Sequence, residues 1–112
     1  LNEQRFNILR NNIKVYNLNI DLINDDCINY IDKEYDIFFI DPPWGGPNYK
    51  YELKLQLKLS DYELSELLSR IKKDKIVVLK IPYNYDYSYI KSMYNILDVE
   101  KYNNINIIYF KT

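Results

Sequence analysis

A chain of 112 residues with a formal net charge of −1 has room for one small domain and sets up no field that would draw in nucleic acid along its backbone. Cys27 is the single cysteine and histidine is absent, so a disulfide framework is excluded and metal catalysis would have to rest on carboxylates alone. No apolar run approaches the roughly 20 residues of a membrane span, and no signal peptide is visible, which points to a soluble, intracellular protein.

Phe6, Leu9, Ile13 and Tyr16 fall at helical spacing, with Glu3 in the first turn, and predict a helix over 3–16. Asn17-Leu18 ends it. Residues 19–24 read as a short strand closed by Asp25-Asp26, and 27–34 as a short helix or loop. Asp36-Ile37-Phe38-Phe39-Ile40 is a buried strand. From Lys50 to Leu59 apolar and polar residues alternate, which predicts an extended segment with Lys50, Lys54 and Lys58 on one wet face. Ser60-Asp61-Tyr62-Glu63 has the form of a capping box, starting a helix that buries Leu64, Leu67, Leu68 and Ile71. Lys75 to Pro82 is a buried strand. A helix is predicted over 86–97, with Ile90, Met93 and Leu97 inward. Residues 99–102 and 105–110 should close the fold as an antiparallel pair around Asn103-Asn104.

The chemistry concentrates where strand 36–40 ends, in Asp41-Pro42-Pro43-Trp44-Gly45-Gly46-Pro47-Asn48-Tyr49. Ligands of open α/β sheets bind at such strand ends. The two prolines fix φ and remove two N–H donors, leaving the carbonyls of Asp41 and Pro42 to accept. Trp44 offers a flat face for a base, and Gly45-Gly46 lets the backbone pass close by. Acceptors beside one stacking ring suit the exocyclic amino group of a purine. A plain Pro/Gly turn after a buried strand is the simpler alternative. Alanine is absent while Asn, Ile, Lys and Tyr abound, the signature of AT-rich coding, so the 13 Tyr carry little weight one by one.

Asp-Pro-Pro-Trp is similar to the motif of amino-methyltransferases, and Pro-Pro-Trp-Gly-Gly-Pro-x-Tyr resembles the trimethylguanosine synthase family, the RNA cap guanine-N2 methyltransferases. The resemblance implies an α/β fold: the C-terminal part of a Rossmann-like class I methyltransferase sheet, family strands 3 to 7, in a family order of 3-2-1-4-5-7-6 with strand 7 antiparallel. Family strands 1 and 2, with the Gly-rich loop and the ribose-binding acid, are missing. Residues 1–112 then form a partial catalytic domain, with an apolar sheet edge left open and little activity alone unless a missing N-terminal segment supplies the rest.

The resemblance also implies S-adenosylmethionine as cofactor, a 7-methylguanosine RNA cap as partner, and neither metal nor membrane. Asp26 would accept from the adenine amino group, with Asp25 competing for the role, and Cys27 would lie along the ring. A helix cap is the alternative for Asp26. Leu1 would pack on the other adenine face or fray. Asp41, also beside the methyl donor, and Pro42 would hold the target amino group. Trp44 would stack on the base, with Pro43 lining the pocket, Tyr49 touching the nucleotide and Asn84 at the guanine edge; core filling, a rim position and a turn are the respective alternatives for Trp44, Tyr49 and Asn84. Two departures stand out. Asp41 replaces a Ser frequent in the family, a feature shared with adenine-N6 methyltransferases, and Tyr83 replaces an Arg that holds cap phosphates. Lys50, Lys54 and Lys58 would compensate for the Arg, or form a solvated strand face. The rival readings are an adenine-N6 methyltransferase of RNA or DNA and a non-catalytic cap-binding fragment.

Overall fold

In the computed structural model, residues 2–51 and 56–112 are described; Leu1, together with Leu53, Lys54 and Leu55 of the expected alternating segment, lies outside them. Helix α1 spans Glu3–Val15. The Asn2 side chain caps it by accepting from the Arg5 N–H at 3.0 Å. None of its residues is buried, although Phe6, Leu9 and Ile13 keep the predicted apolar spacing. Residues 19–24, expected as a strand, join no ladder, and Ile20 and Ile23 are exposed. A strand needs a partner, and among the described residues none is offered there. A single 3₁₀ turn follows at Cys27–Asn29.

Strand β1 (Ile37–Ile40) pairs in parallel with β4 (Ile76–Pro82), and β6 (Ile105–Lys111) runs antiparallel between β4 and β5 (Asn95–Lys101). The result is a four-stranded mixed sheet of order β1-β4-β6-β5. This α/β arrangement is compatible with part of a methyltransferase sheet. Alternation along β4 and β6 buries Val77, Leu79, Ile81, Ile108 and Phe110 on one face. Against that face pack Leu64, Leu67 and Leu68 of α2 (Leu64–Ser69), Ile71 just beyond it, and Ile90 of α3 (Ser88–Met93). The opposite face is more open: Ile37 and Phe39 of β1 are each about three-fifths exposed, at 60% and 63%.

Three expectations are corrected. The segment after the proline motif does not run extended from Lys50. Pro47–Tyr51 is a 3₁₀ turn, and the chain is a strand only at β2 (Lys58–Leu59), which pairs with β3 (Tyr62–Glu63). Lys50 and Lys58 therefore do not share a strand face. The capping box does not form, because Ser60 turns this short hairpin with φ of 57°. Glu63 caps α2 instead, accepting from the Ser65 N–H at 2.7 Å, and the four predicted apolar residues are still buried. The helix over 86–97 stops at Met93. Pairing of Ile96 with Phe110 draws the next residues into β5, and Leu97 falls at a bulge between Ile96 and Asp98. Met93 and Leu97 are exposed rather than inward.

Candidate active site

The Ile40–Leu79 pairing sets the site, because it brings the next residues, Asp41 and Lys80, side by side at the C-terminal end of β1. The Asp41 carboxylate accepts from the Lys80 ammonium at 2.9 Å. Both side chains are partly exposed, so the pair contributes little to stability. Pro42 is fully buried and fixes where the chain leaves the sheet. Trp44 follows, half-buried against the core, with its indole N–H buried and meeting no acceptor among the described residues. Lys80 Nζ lies 5.5 Å from the centre of the Trp44 ring. Tyr49 meets that ring edge-on, at 5.1 Å between centroids and 70° between planes. Gly45 and Gly46 carry φ of 83° and 85°, a conformation L side chains rarely adopt.

The next strand end ties this loop down. The Asn84 amide donates to the Tyr49 carbonyl at 2.7 Å, and the Tyr83 hydroxyl donates to the Lys50 carbonyl at 3.3 Å. Asn84, expected at the guanine edge, thus holds the backbone under Tyr49. Pro43 and Gly45 line an open groove with Gln56, Lys58 and Ser60.

On the β1 edge a cavity of about 310 Å³ is lined by Cys27, Tyr30, Phe39, Ile40 and Asp41, among others. Cys27 and Asp41, 14 positions apart in the chain, thus share one cavity. Asp26, next to Cys27 in the chain, does not line that cavity; it caps the 3₁₀ turn, accepting from the Ile28 N–H at 3.1 Å and from the Ser60 hydroxyl at 2.5 Å. The Ser60 hydroxyl first, then the Ile28 N–H, hold the Asp26 carboxyl below its usual range. Asp25 is also held low, by the Asp26 N–H first and then by Asn29 and Tyr30. Loss of water raises the Cys27 thiol, and the Asp26 charge adds to it, so the thiol stays protonated at neutral pH. Leu1 lies outside the described residues.

Sequence reasoning missed two partners. Lys80 is the one charged residue within Ile76–Pro82, an oddity that marks it in a strand otherwise apolar, but its pairing with Asp41 depends on register. Ser60 reaches Asp26 across 34 positions, and no local signal announces that.

The profile of a family described as RNA cap guanine-N2 methyltransferase matches residues 1–112. The chain belongs to that family. An uncharacterised protein of Acanthamoeba polyphaga mimivirus is 37% identical over 114 residues, covering 90% of this chain. The chain spans 44% of that relative's length. No solved structure gives a significant match. Methyltransferases generally draw their methyl group from S-adenosylmethionine. The chemistry of the cavity fits one end of that molecule: aromatic and aliphatic walls suit a flat ring, and Asp41 suits a neighbouring cation. The chain has only two glycines, both in the Trp44 loop, so among the described residues no Gly-rich cradle is available for the polar end. Among those residues no helix is long and apolar enough to cross a membrane, and no group of three or more His, Cys, Asp or Glu could hold a metal.

Proposed function

We propose that this chain carries the base-binding half of an enzyme that transfers a methyl group from S-adenosylmethionine to the exocyclic N2 of a 7-methylguanosine RNA cap. The observation that carries the reading is the placing of Asp41 and Trp44 on either side of the buried Pro42 just after β1, both within reach of Lys80, with Tyr49 edge-on to the Trp44 ring. The sheet order supports it as well. β1-β4-β6-β5, with β6 antiparallel, follows the 4-5-7-6 part of the order expected for the family.

When bound, S-adenosylmethionine supplies the methyl group as an electrophile on a sulfonium. The chain's residues supply placement. Asp41 Oδ2 is engaged by Lys80, and Oδ1, which has no hydrogen bond among the described residues, accepts from one N2 hydrogen. The Pro42 carbonyl accepts the other. These contacts draw the amino hydrogens out of the ring plane and turn lone-pair density away from the purine. They also stabilise the positive charge that develops on nitrogen. No strong base is required, because an N-alkylated arylammonium is acidic enough to lose its proton to water. Most of the acceleration then comes from alignment. Trp44 stacks on the base, and the positive charge of 7-methylguanine adds up to about 2 kcal/mol once water is excluded. Cys27, Phe39 and Ile40 wall the cavity beside Asp41 for the cofactor.

The test uses the full-length protein with methyl-labelled S-adenosylmethionine and three RNAs: one with a 7-methylguanosine cap, one with an unmethylated guanosine cap, and one uncapped and rich in adenine. Label in the first alone is the expected result. Label in the adenine-rich RNA would replace guanine-N2 by adenine-N6 as the target.

A further inference from the structure

The Asp41 carboxylate and the Trp44 ring are the two groups assigned to the base, and one side chain touches both. Lys80 Nζ is 2.9 Å from Asp41 Oδ2 and 5.5 Å from the Trp44 centroid. It reaches them from β4, a different strand, whose backbone is fixed on both sides by β1 and β6. Val77, Leu79 and Ile81 alternate with it into the core, so its direction is set by the pleat. That direction brings Lys80 within ion-pair distance of the Asp41 carboxylate, on the partly exposed face of the sheet.

We infer that Lys80 is a positioning residue, whose ammonium holds the Asp41 carboxylate and the Trp44 ring in one arrangement and balances the carboxylate's charge at the base site. The inference rests on the reading of the site as a cap guanine-N2 methyltransferase and goes beyond it in two ways. First, by occupying Oδ2, Lys80 leaves one carboxylate oxygen to face the amino group, so the target nitrogen has a single orientation. Second, a cation near the Trp44 ring opposes the cationic 7-methylguanine, so Lys80 weakens ground-state binding of the base while improving its alignment. Its removal should therefore separate the two effects.

The experiment compares wild type, Lys80→Met, Lys80→Arg, Asp41→Asn and the double variant Lys80→Met/Asp41→Asn in the full-length protein. Turnover and KM are read on 7-methylguanosine-capped RNA. Affinities for 7-methylguanosine triphosphate and guanosine triphosphate are read by calorimetry. Lys80→Met should lose turnover by about tenfold or more, as expected for a misaligned group, with KM unchanged or lower. Its preference for the methylated nucleotide over the plain one should rise. Lys80→Arg, which keeps the charge, should recover most of the turnover. In turnover, the double variant should be little worse than Asp41→Asn alone, because the alignment effect of Lys80 runs mainly through Asp41. Wild-type kinetics in Lys80→Met would overturn the inference while leaving the reading of the site intact. So would a parallel loss of turnover and affinity that Lys80→Arg fails to restore. A wild type inert toward every cap removes the reading itself, and the role of Lys80 with it.

Discussion

Trp44 is the residue whose replacement is most informative. Stacking of a base on an aromatic ring contributes on the order of 1–3 kcal/mol, so Trp44→Ala in the full-length protein should raise KM for capped RNA by one to two orders of magnitude. Part of that ring packs on the core, so the fold must be shown intact by circular dichroism. Kinetics like those of wild type would leave the ring a purely structural part. Asp41→Ala should act differently, since its contact strengthens as charge develops on nitrogen. Single-turnover rate should fall further than cap affinity, and the reverse order would make Asp41 a binding residue. The motif was legible at this scale because Pro42, Trp44, Gly45 and Gly46 are contiguous and act through local geometry. Lys80 and Ser60 were not legible, because each meets its partner through the register of a fold and not through spacing in the chain.

At the scale of elements, protection against exchange should be uneven. β4 and β6 hydrogen-bond over seven residues each and bury Val77, Leu79, Ile108 and Phe110 fully, so their amides should exchange slowest. α1 buries nothing and residues 19–24 join no ladder, so both should exchange orders of magnitude faster in the isolated chain. Hydrogen exchange with mass spectrometry reads this directly, and protection of α1 equal to that of β4 would show a packing contact for the helix. The same contrast explains which elements could be read in advance. Strand 75–82 was readable from composition because burial by neighbours agrees with local preference; 36–40 was readable as a strand from its β-branched and aromatic run, but only Ile40 of it is buried. The helix over 86–97 was not, because Ile90, Met93 and Leu97 match a helical period that pairing with β6 overrides at Asn95. Strand 19–24 failed for the opposite reason: its pattern fits a ladder that no described strand provides.

For the molecule as a whole, alkaline pH is the condition that should loosen it. Tyr85 and Tyr89 share a hydrogen bond of 2.9 Å at the edge of the core. Burial first pushes the Tyr85 phenol up from 10 to about 12, and burial followed by the bond to Tyr85 raises Tyr89 as well. A phenol is neutral when protonated, so the folded state keeps protons that the unfolded chain has lost. The stabilisation is complete below pH 10 and disappears as pH rises from 10 towards 12. Melting temperature should fall through that window, and the phenolate absorbance of the last tyrosines should appear together with loss of the circular-dichroism signal. Independent, earlier ionisation of all 13 Tyr would mean that the pair is open to water.

The two glycines carry a last consequence. Elsewhere this chain takes left-handed turns without glycine: Asn17, Ser60 and Asp74 hold φ of 52°, 57° and 65°. Asn, Ser and Asp thus suffice where a turn alone is needed. Gly45 and Gly46 stand apart from these three, although a Cβ there would meet none of the described atoms within 4 Å, the chain neighbours aside. Their φ of 83° and 85° lies further out than the other three, and among the described residues nothing fills the space above them. The result is a strip of bare backbone beside Trp44, shaped by the absence of side chains as much as by the turn it makes.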